Sequence, residues 1–124
     1  MRHPLGLAKE AVMAGIPEIS AANAITAVAE GVWLMDVREQ DEWNRGHAPG
    51  AHLVPTSRLN ELLGEIPTDQ KVLVVCHSGM RSARATAALL RADYDVVNVE
   101  GGMVAWAEAG GPVEADGEDA PRVE

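Results

Sequence analysis

Val72-Leu73-Val74-Val75-Cys76-His77-Ser78-Gly79-Met80-Arg81-Ser82 is the stretch around which the rest of the chain is organised. Four consecutive apolar residues, three of them β-branched, suit a strand buried on both faces of a parallel sheet. Ala83-Arg84-Ala85-Thr86-Ala87-Ala88-Leu89-Leu90 then supplies good helix formers, so the residues between make a strand-to-helix turn. Such a turn aims backbone N–H groups and a helix N-terminus at the group on the strand end, which here is a cysteine. Gly79 permits tight curvature, Ser78 and Ser82 bring hydroxyl donors, and Arg81 brings a permanent charge. Alone, a cysteine after four apolar residues is most often a small buried hydrophobe. With these neighbours it reads as a nucleophile, because they stabilise a thiolate and the thiolate is the form that attacks.

Outward from this loop, strands and helices alternate. Residues 16–19 read as a short edge strand, where Pro17 is tolerated. Ser20 caps a helix over 21–30 with Ala24, Ile25, Val28 and Ala29 on one side, stopped at Gly31. Residues 32–37 form a second buried strand, and 39–45 a polar helix ended by Gly46. The turn His47-Ala48-Pro49-Gly50 leads to a short strand over 51–54, and Thr56 or Ser57 starts a helix to about Glu65. Asp95–Val99 is the last strand; Gly101-Gly102 opens a final helix around Trp106. This order predicts an α/β fold, a parallel sheet with helices on both faces. In such folds sites lie beyond the carboxyl ends of strands, which is where Cys76 falls.

Composition narrows the function. The 124 residues suit one domain, and 47% hydrophobic content supports a core without covalent staples. The single cysteine excludes an internal disulfide and suits a reducing compartment, so the cytoplasm is the expected location. Pro4, Gly6, Lys9 and Glu10 interrupt any secretory leader, and no run approaches the ~18 apolar residues of a membrane span. The net charge of −9 gives no footprint for nucleic acid or an anionic membrane. Six of the 19 acids and one of the ten bases lie from Glu108 onward. Residues 113–124 are therefore expected to be a disordered acidic tail, and residues 1–15 an N-terminal extension.

Four segments together resemble one family. Cys76-His77-Ser78-Gly79-Met80-Arg81-Ser82 is similar to the Cys-x-x-Gly-x-Arg-Ser loop of rhodanese-type sulfurtransferases. Leu34-Met35-Asp36-Val37-Arg38-Glu39, Glu42-Trp43 with Gly46-His47-Ala48-Pro49-Gly50-Ala51, and Glu100-Gly101-Gly102-Met103-Val104-Ala105-Trp106 resemble that family's other signatures, in the same order. The resemblance spans residues 16–112. It implies a rhodanese-like three-layer fold, with a central parallel sheet of about five strands flanked by helices on both faces. It also implies a catalytic Cys76 that carries a sulfane sulfur as a persulfide, without a cofactor. The donor would be a small anion such as thiosulfate or a persulfide-donating protein, and the acceptor a thiol or cyanide. His77, Ser78, Gly79, Met80, Arg81 and Ser82 would bind substrate, with Arg81 attracting an anionic donor and His77 adding a charge or a hydrogen bond.

Two other functions remain in view. Cysteine phosphatases and arsenate reductases place five residues between Cys and Arg; here four intervene, a tighter ring that suits a sulfur atom better than a phosphate. The second is a persulfide carrier or protein-binding module that does not turn over alone. Asp36, Arg38 and His47 read as structural support, with Asp36 and Arg38 pairing to Glu39, Glu42 or backbone donors. His47, His52 and His77 lack the i, i+4 spacing of a zinc site, so no metal is expected. Trp33, Trp43 and Trp106 read as packing residues, while Arg58 and Arg84 are candidates for a positive field at the loop mouth.

Overall fold

The computed structural model describes residues 15–123. The reading of 1–15 as an extension falls almost wholly outside them. Five parallel strands form one sheet: β1 (Glu18–Ile19), β2 (Trp33–Asp36), β3 (His52–Leu53), β4 (Val72–Val75) and β5 (Val96–Val99), in the spatial order β1-β5-β4-β2-β3. The two edge strands have only two residues each, which limits the unpaired backbone they expose. All four residues of β4 are buried, as are all four of β5. The continuous apolar run thus has its physical cause in two covered faces.

Alternation along the central strands sorts the core into two layers. Leu34, Leu73, Val75, Val97 and Val99 point to one face. There they meet Ala21 and Ala24 of α1 (Ala21–Ala29), and Met103 and Trp106 of α5 (Gly102–Glu108). Met35, Val72, Val74, Val96 and Cys76 point to the other. There they meet Ala85 and Leu89 of α4 (Met80–Arg91), with Leu59 and Leu62 of the short helix α3 (Leu59–Leu62) at its margin. Each fully buried Val or Leu contributes about 1.5–3 kcal/mol relative to exposure, so the sheet holds the site rigidly. The segment predicted as one helix over 57–65 is α3 with a 3₁₀ turn on each side, Thr56–Arg58 and Leu63–Glu65. Gly64, a poor helix former, sits in the second.

Residues 113–123 depart from the expected free tail. His47 and Glu114 exchange backbone hydrogen bonds at 2.8 Å in an antiparallel bridge, and the amides of Asp116 and Arg122 donate to the carbonyls of Asn44 and Arg45. Val113 and Val123 pack on the α1/α5 layer. The physical reason is alternation: Val113 and Ala115 turn inward, while Glu114 and Asp116 stay exposed in water.

Asp36 and Arg38, at the end of β2, are both wholly buried and pair with each other rather than with Glu39 or Glu42. The Arg38 Nε and Nη2 donate to the Asp36 carboxylate at 2.8–3.1 Å, the Arg38 amide donates to Oδ1 at 3.0 Å, and Nη2 also donates to the Gly46 carbonyl at 2.7 Å. Two buried charges this close satisfy one another first, because any more distant partner would leave one of them desolvated and alone. Replacing Arg38 by Met is expected to cost about 3–5 kcal/mol, since it strands the Asp36 carboxylate. The double change Asp36→Leu with Arg38→Met should recover most of that loss, as read from urea-unfolding midpoints.

Candidate active site

Cys76 immediately follows β4 and is about 1% exposed, with its thiol free. The next three residues form the turn, and α4 starts at Met80. The direction of the turn is set from the opposite layer. The amide of Met103 donates to the Cys76 carbonyl at 2.8 Å, and that of Val104 to the His77 carbonyl at 3.0 Å. No peptide in the described chain is cis. In a planar trans peptide the N–H opposes the C=O, so the amides of His77 and Ser78 face away from α5. Close approach of α5 requires glycine at its start. A Cβ on Gly102 would lie 2.4 Å from the His77 carbonyl oxygen and 2.5 Å from that of Cys76, and Gly102 also has φ +60°.

Two donors reach the sulfur. The Gly79 amide donates to Sγ at 3.1 Å, made available by φ +112° at that residue, and the Ser82 hydroxyl lies 3.3 Å from Sγ. Ser82 Oγ also lies 3.2 Å from the Gly79 carbonyl oxygen, so its single proton is shared between the sulfur and the turn. Cys76 thus sits at the N-terminal end of a 12-residue helix, where backbone dipoles favour negative charge. The arrangement can hold an anionic sulfur, or a second sulfur bonded to it.

The structure places the predicted site residues unequally. Cys76, Gly79 and Ser82 are brought together. Ser78 and Met80 are exposed at the mouth, Met80 at 54%. His77 is half-buried, and its Nδ1 is buried without a hydrogen-bond partner. Arg81 does not project a free charge as the sequence suggested. Its Nη1 and Nη2 donate to Glu42 Oε1 and Oε2 at 2.7 and 2.8 Å, a two-pronged ion pair. Arg58 is exposed and paired with Glu61 at 2.8 Å, and Arg84 is exposed. His47 is buried against Trp43, ring on ring at 3.8 Å, with Nδ1 2.8 Å from the Trp43 carbonyl and Nε2 3.5 and 3.6 Å from the Glu114 and Asp116 carboxylates; it holds the turn. Trp106 is buried and donates to the Pro112 carbonyl at 2.9 Å, while Trp33 stacks on His52.

Glu42 is the residue that sequence reasoning assigned elsewhere. It belongs to helix α2 (Gln40–Arg45), where it accepts the Glu39 amide in a reciprocal cap. Glu39 in turn accepts from Ser57 Oγ at 2.7 Å, so the start of α2 is clamped to the loop after β3. The only signal for its role was its place beside Trp43 in the resembling segment. Among the described residues no cluster of three or more His, Cys, Asp or Glu is arranged to hold a metal ion, and no helix is long and apolar enough to cross a membrane. A concavity bounded by Asn44, Asp116, Gly117 and Asp119 shares no residue with the cysteine loop, and carries none of its donors.

The Rhodanese-like domain model matches residues 20–109. Over 120 aligned residues the chain is 34% identical to thiosulfate sulfurtransferase 18 of Arabidopsis thaliana, covering 84% of this chain and 88% of that protein. It is 44% identical over 78 residues to the probable adenylyltransferase/sulfurtransferase MoeZ of Mycobacterium tuberculosis; that match takes in 60% of this chain, which thus spans only about a fifth (20%) of the longer protein. A crystal structure of a rhodanese-related protein from Thermoplasma volcanium superposes with a TM-score of 0.74 at 34% identity, covering 79% of this chain and 97% of that one.

Two outcomes are expected of this geometry. Gly102→Ala should cost about 1–3 kcal/mol in backbone strain alone, with a further loss from its collision with the loop carbonyls, measurable as a lowered unfolding midpoint. The Arg81 guanidinium holds the Glu42 carboxyl down from 4.5 to about 2, against the opposing effect of burial. A carboxyl lowered on folding stabilises the fold fully above its unfolded value and loses that contribution as pH falls through the folded one. Glu42→Gln should therefore be less stable than the unmodified chain by about 1–2 kcal/mol at neutral pH. The gap should close between pH 4.5 and about 2, followed by urea midpoints across that window.

Proposed function

The chain belongs to the rhodanese-like domain family, and on that premise we propose that it transfers a sulfane sulfur from a donor such as thiosulfate to a thiol or cyanide through a persulfide on Cys76. The observation that carries this reading is the pair of donors, Gly79 N–H and Ser82 Oγ–H, aimed at one buried sulfur at a helix N-terminus. The Cys76 thiolate attacks the outer sulfur of the donor; a new S–S bond forms to Sγ while the donor's own S–S bond breaks, and sulfite or a thiolate departs with the electron pair. The resulting persulfide is an anion whose terminal sulfur is held by the amides around it until an acceptor attacks that atom and Cys76 leaves as thiolate. No cofactor enters this sequence. Four residues between Cys76 and Arg81 support sulfur over phosphate as the group held. A lone thiol suits the reducing cytoplasm.

A second reading, a module charged by a docked persulfide protein, draws support from Met80, a large apolar side chain 54% exposed at the loop mouth. Intact-mass measurement separates these. Incubation with thiosulfate is expected to add one sulfur atom, which cyanide removes and Cys76→Ala abolishes. A chain that gains sulfur from no small donor but does so from a protein persulfide is the carrier. Hydrolysis of an aryl phosphate dependent on Cys76 would refute both.

A further inference from the structure

Arg81 is the cation that the loop sequence offers to an incoming anion, yet both prongs of its fork are engaged by Glu42. The pair is half-buried, with side-chain exposures of 34% for Arg81 and 17% for Glu42, so solvent weakens it only in part. Its charges act on the site itself: Arg81 is coupled electrostatically to Cys76 and Asp36 as well as to Glu42, and Glu42 to Arg38. Those four charged side chains, Arg81, Glu42, Arg38 and Asp36, sum to zero. Around a Cys76 thiolate they leave the site negative. A donor that brings two negative charges therefore gains less from these side chains than a free Arg81 would give, and it must take Arg81 from a carboxylate already bonded at 2.7 and 2.8 Å to find a full counter-charge.

We propose that Glu42 is the residue that sets donor selectivity in this chain, by holding Arg81 compensated so that a hydropersulfide carrying at most one negative charge is favoured over a doubly charged anion such as thiosulfate. The inference rests on the Cys76 persulfide reading and deepens it. Both half-reactions are balanced. Thiolate and thiosulfate give the Cys76 persulfide anion and sulfite, the S–S bond of thiosulfate breaking as the Sγ–S bond forms. Thiolate and R–S–SH give Cys76–S–SH and R–S⁻ by the same exchange, and the released thiolate takes its proton from water. Glu42 touches neither sulfur and acts through Arg81, as a positioning residue.

The test compares the second-order rate of persulfide formation on Cys76, by intact mass, with thiosulfate and with the hydropersulfide of 2-mercaptoethanol, whose carrier is uncharged. It uses the full chain and its Glu42→Gln and Glu42→Asp variants. Glutamine keeps the side-chain oxygen that caps α2 while removing the charge. The expected result is that Glu42→Gln raises the thiosulfate rate relative to the hydropersulfide rate by about 5- to 10-fold, and that the thiosulfate rate becomes more sensitive to salt as Arg81 is released. Glu42→Asp should return both readouts toward the unmodified chain. A purely structural role for Glu42 would slow both donors alike and leave their ratio and the salt dependence unmoved; that outcome overturns the proposal. If Cys76 gains sulfur from neither donor in any of the chains, the persulfide reading falls first and this one with it. If it gains sulfur from both but the ratio stays constant, only the role of Glu42 is lost.

Discussion

Everything at the site depends on two hydrogen bonds that the cysteine loop makes with its back. The carbonyls of Cys76 and His77 are taken by the first amides of α5, at 2.8 and 3.0 Å. Because each peptide is planar and trans, that capture turns the following amides the other way. A loop with those two carbonyls facing the sulfur would repel negative charge there, whereas here the groups hydrogen-bonded to the sulfur are donors, the Gly79 amide and the Ser82 hydroxyl. The price is paid in glycine: Gly102 has no Cβ because the space is occupied by those two carbonyl oxygens. The geometry of the cysteine loop on one layer of the sheet is thus held by a helix belonging to the other.

Electrostatics build outward from the same point in alternating sign. Cys76 is followed by Arg81, Arg81 is clasped by Glu42, and the buried pair Arg38 and Asp36 lies behind. Burial deepens inward, from Arg81 at 34% exposed to Asp36 and Arg38 at zero, and each charge is paired with an opposite one. Pairs of this kind contribute modestly to stability when half-exposed and are costly to break when buried. Their field also reaches the thiol, since Arg81 interacts electrostatically with Cys76. A positive residue in the loop sequence does not make a positive loop.

Much of the architecture was legible because local patterns and tertiary placement agreed. The apolar run 72–75, the double cover it implies, and the helix after Gly79 all follow from residue type and period. Boundaries moved by a residue or two, mostly at strand ends. The segment after β3 broke into 3₁₀ and α pieces because Gly64 and the short length could not sustain one helix. The acidic end was misread for a different reason. Charge count suggested solvation, while the alternation of Val113, Glu114, Ala115 and Asp116, visible only when the run is taken in pairs, lets one side pack and the other stay in water.

By itself the sequence determined the parallel sheet, the address of Cys76 at its carboxyl edge and the four-residue spacing to Arg81, because each depends on residues close together in the chain. It equally determined the glycines that let the loop turn. What only the tertiary structure decided is which charge meets which. Glu42 and Arg81 are 39 positions apart, and Arg38 pairs with Asp36 rather than with Glu39 or Glu42. Many acids along this chain were available to either arginine. The choice among them follows from how α2 packs beside the loop and how deeply each group is buried, and those are properties of the fold rather than of any stretch within it.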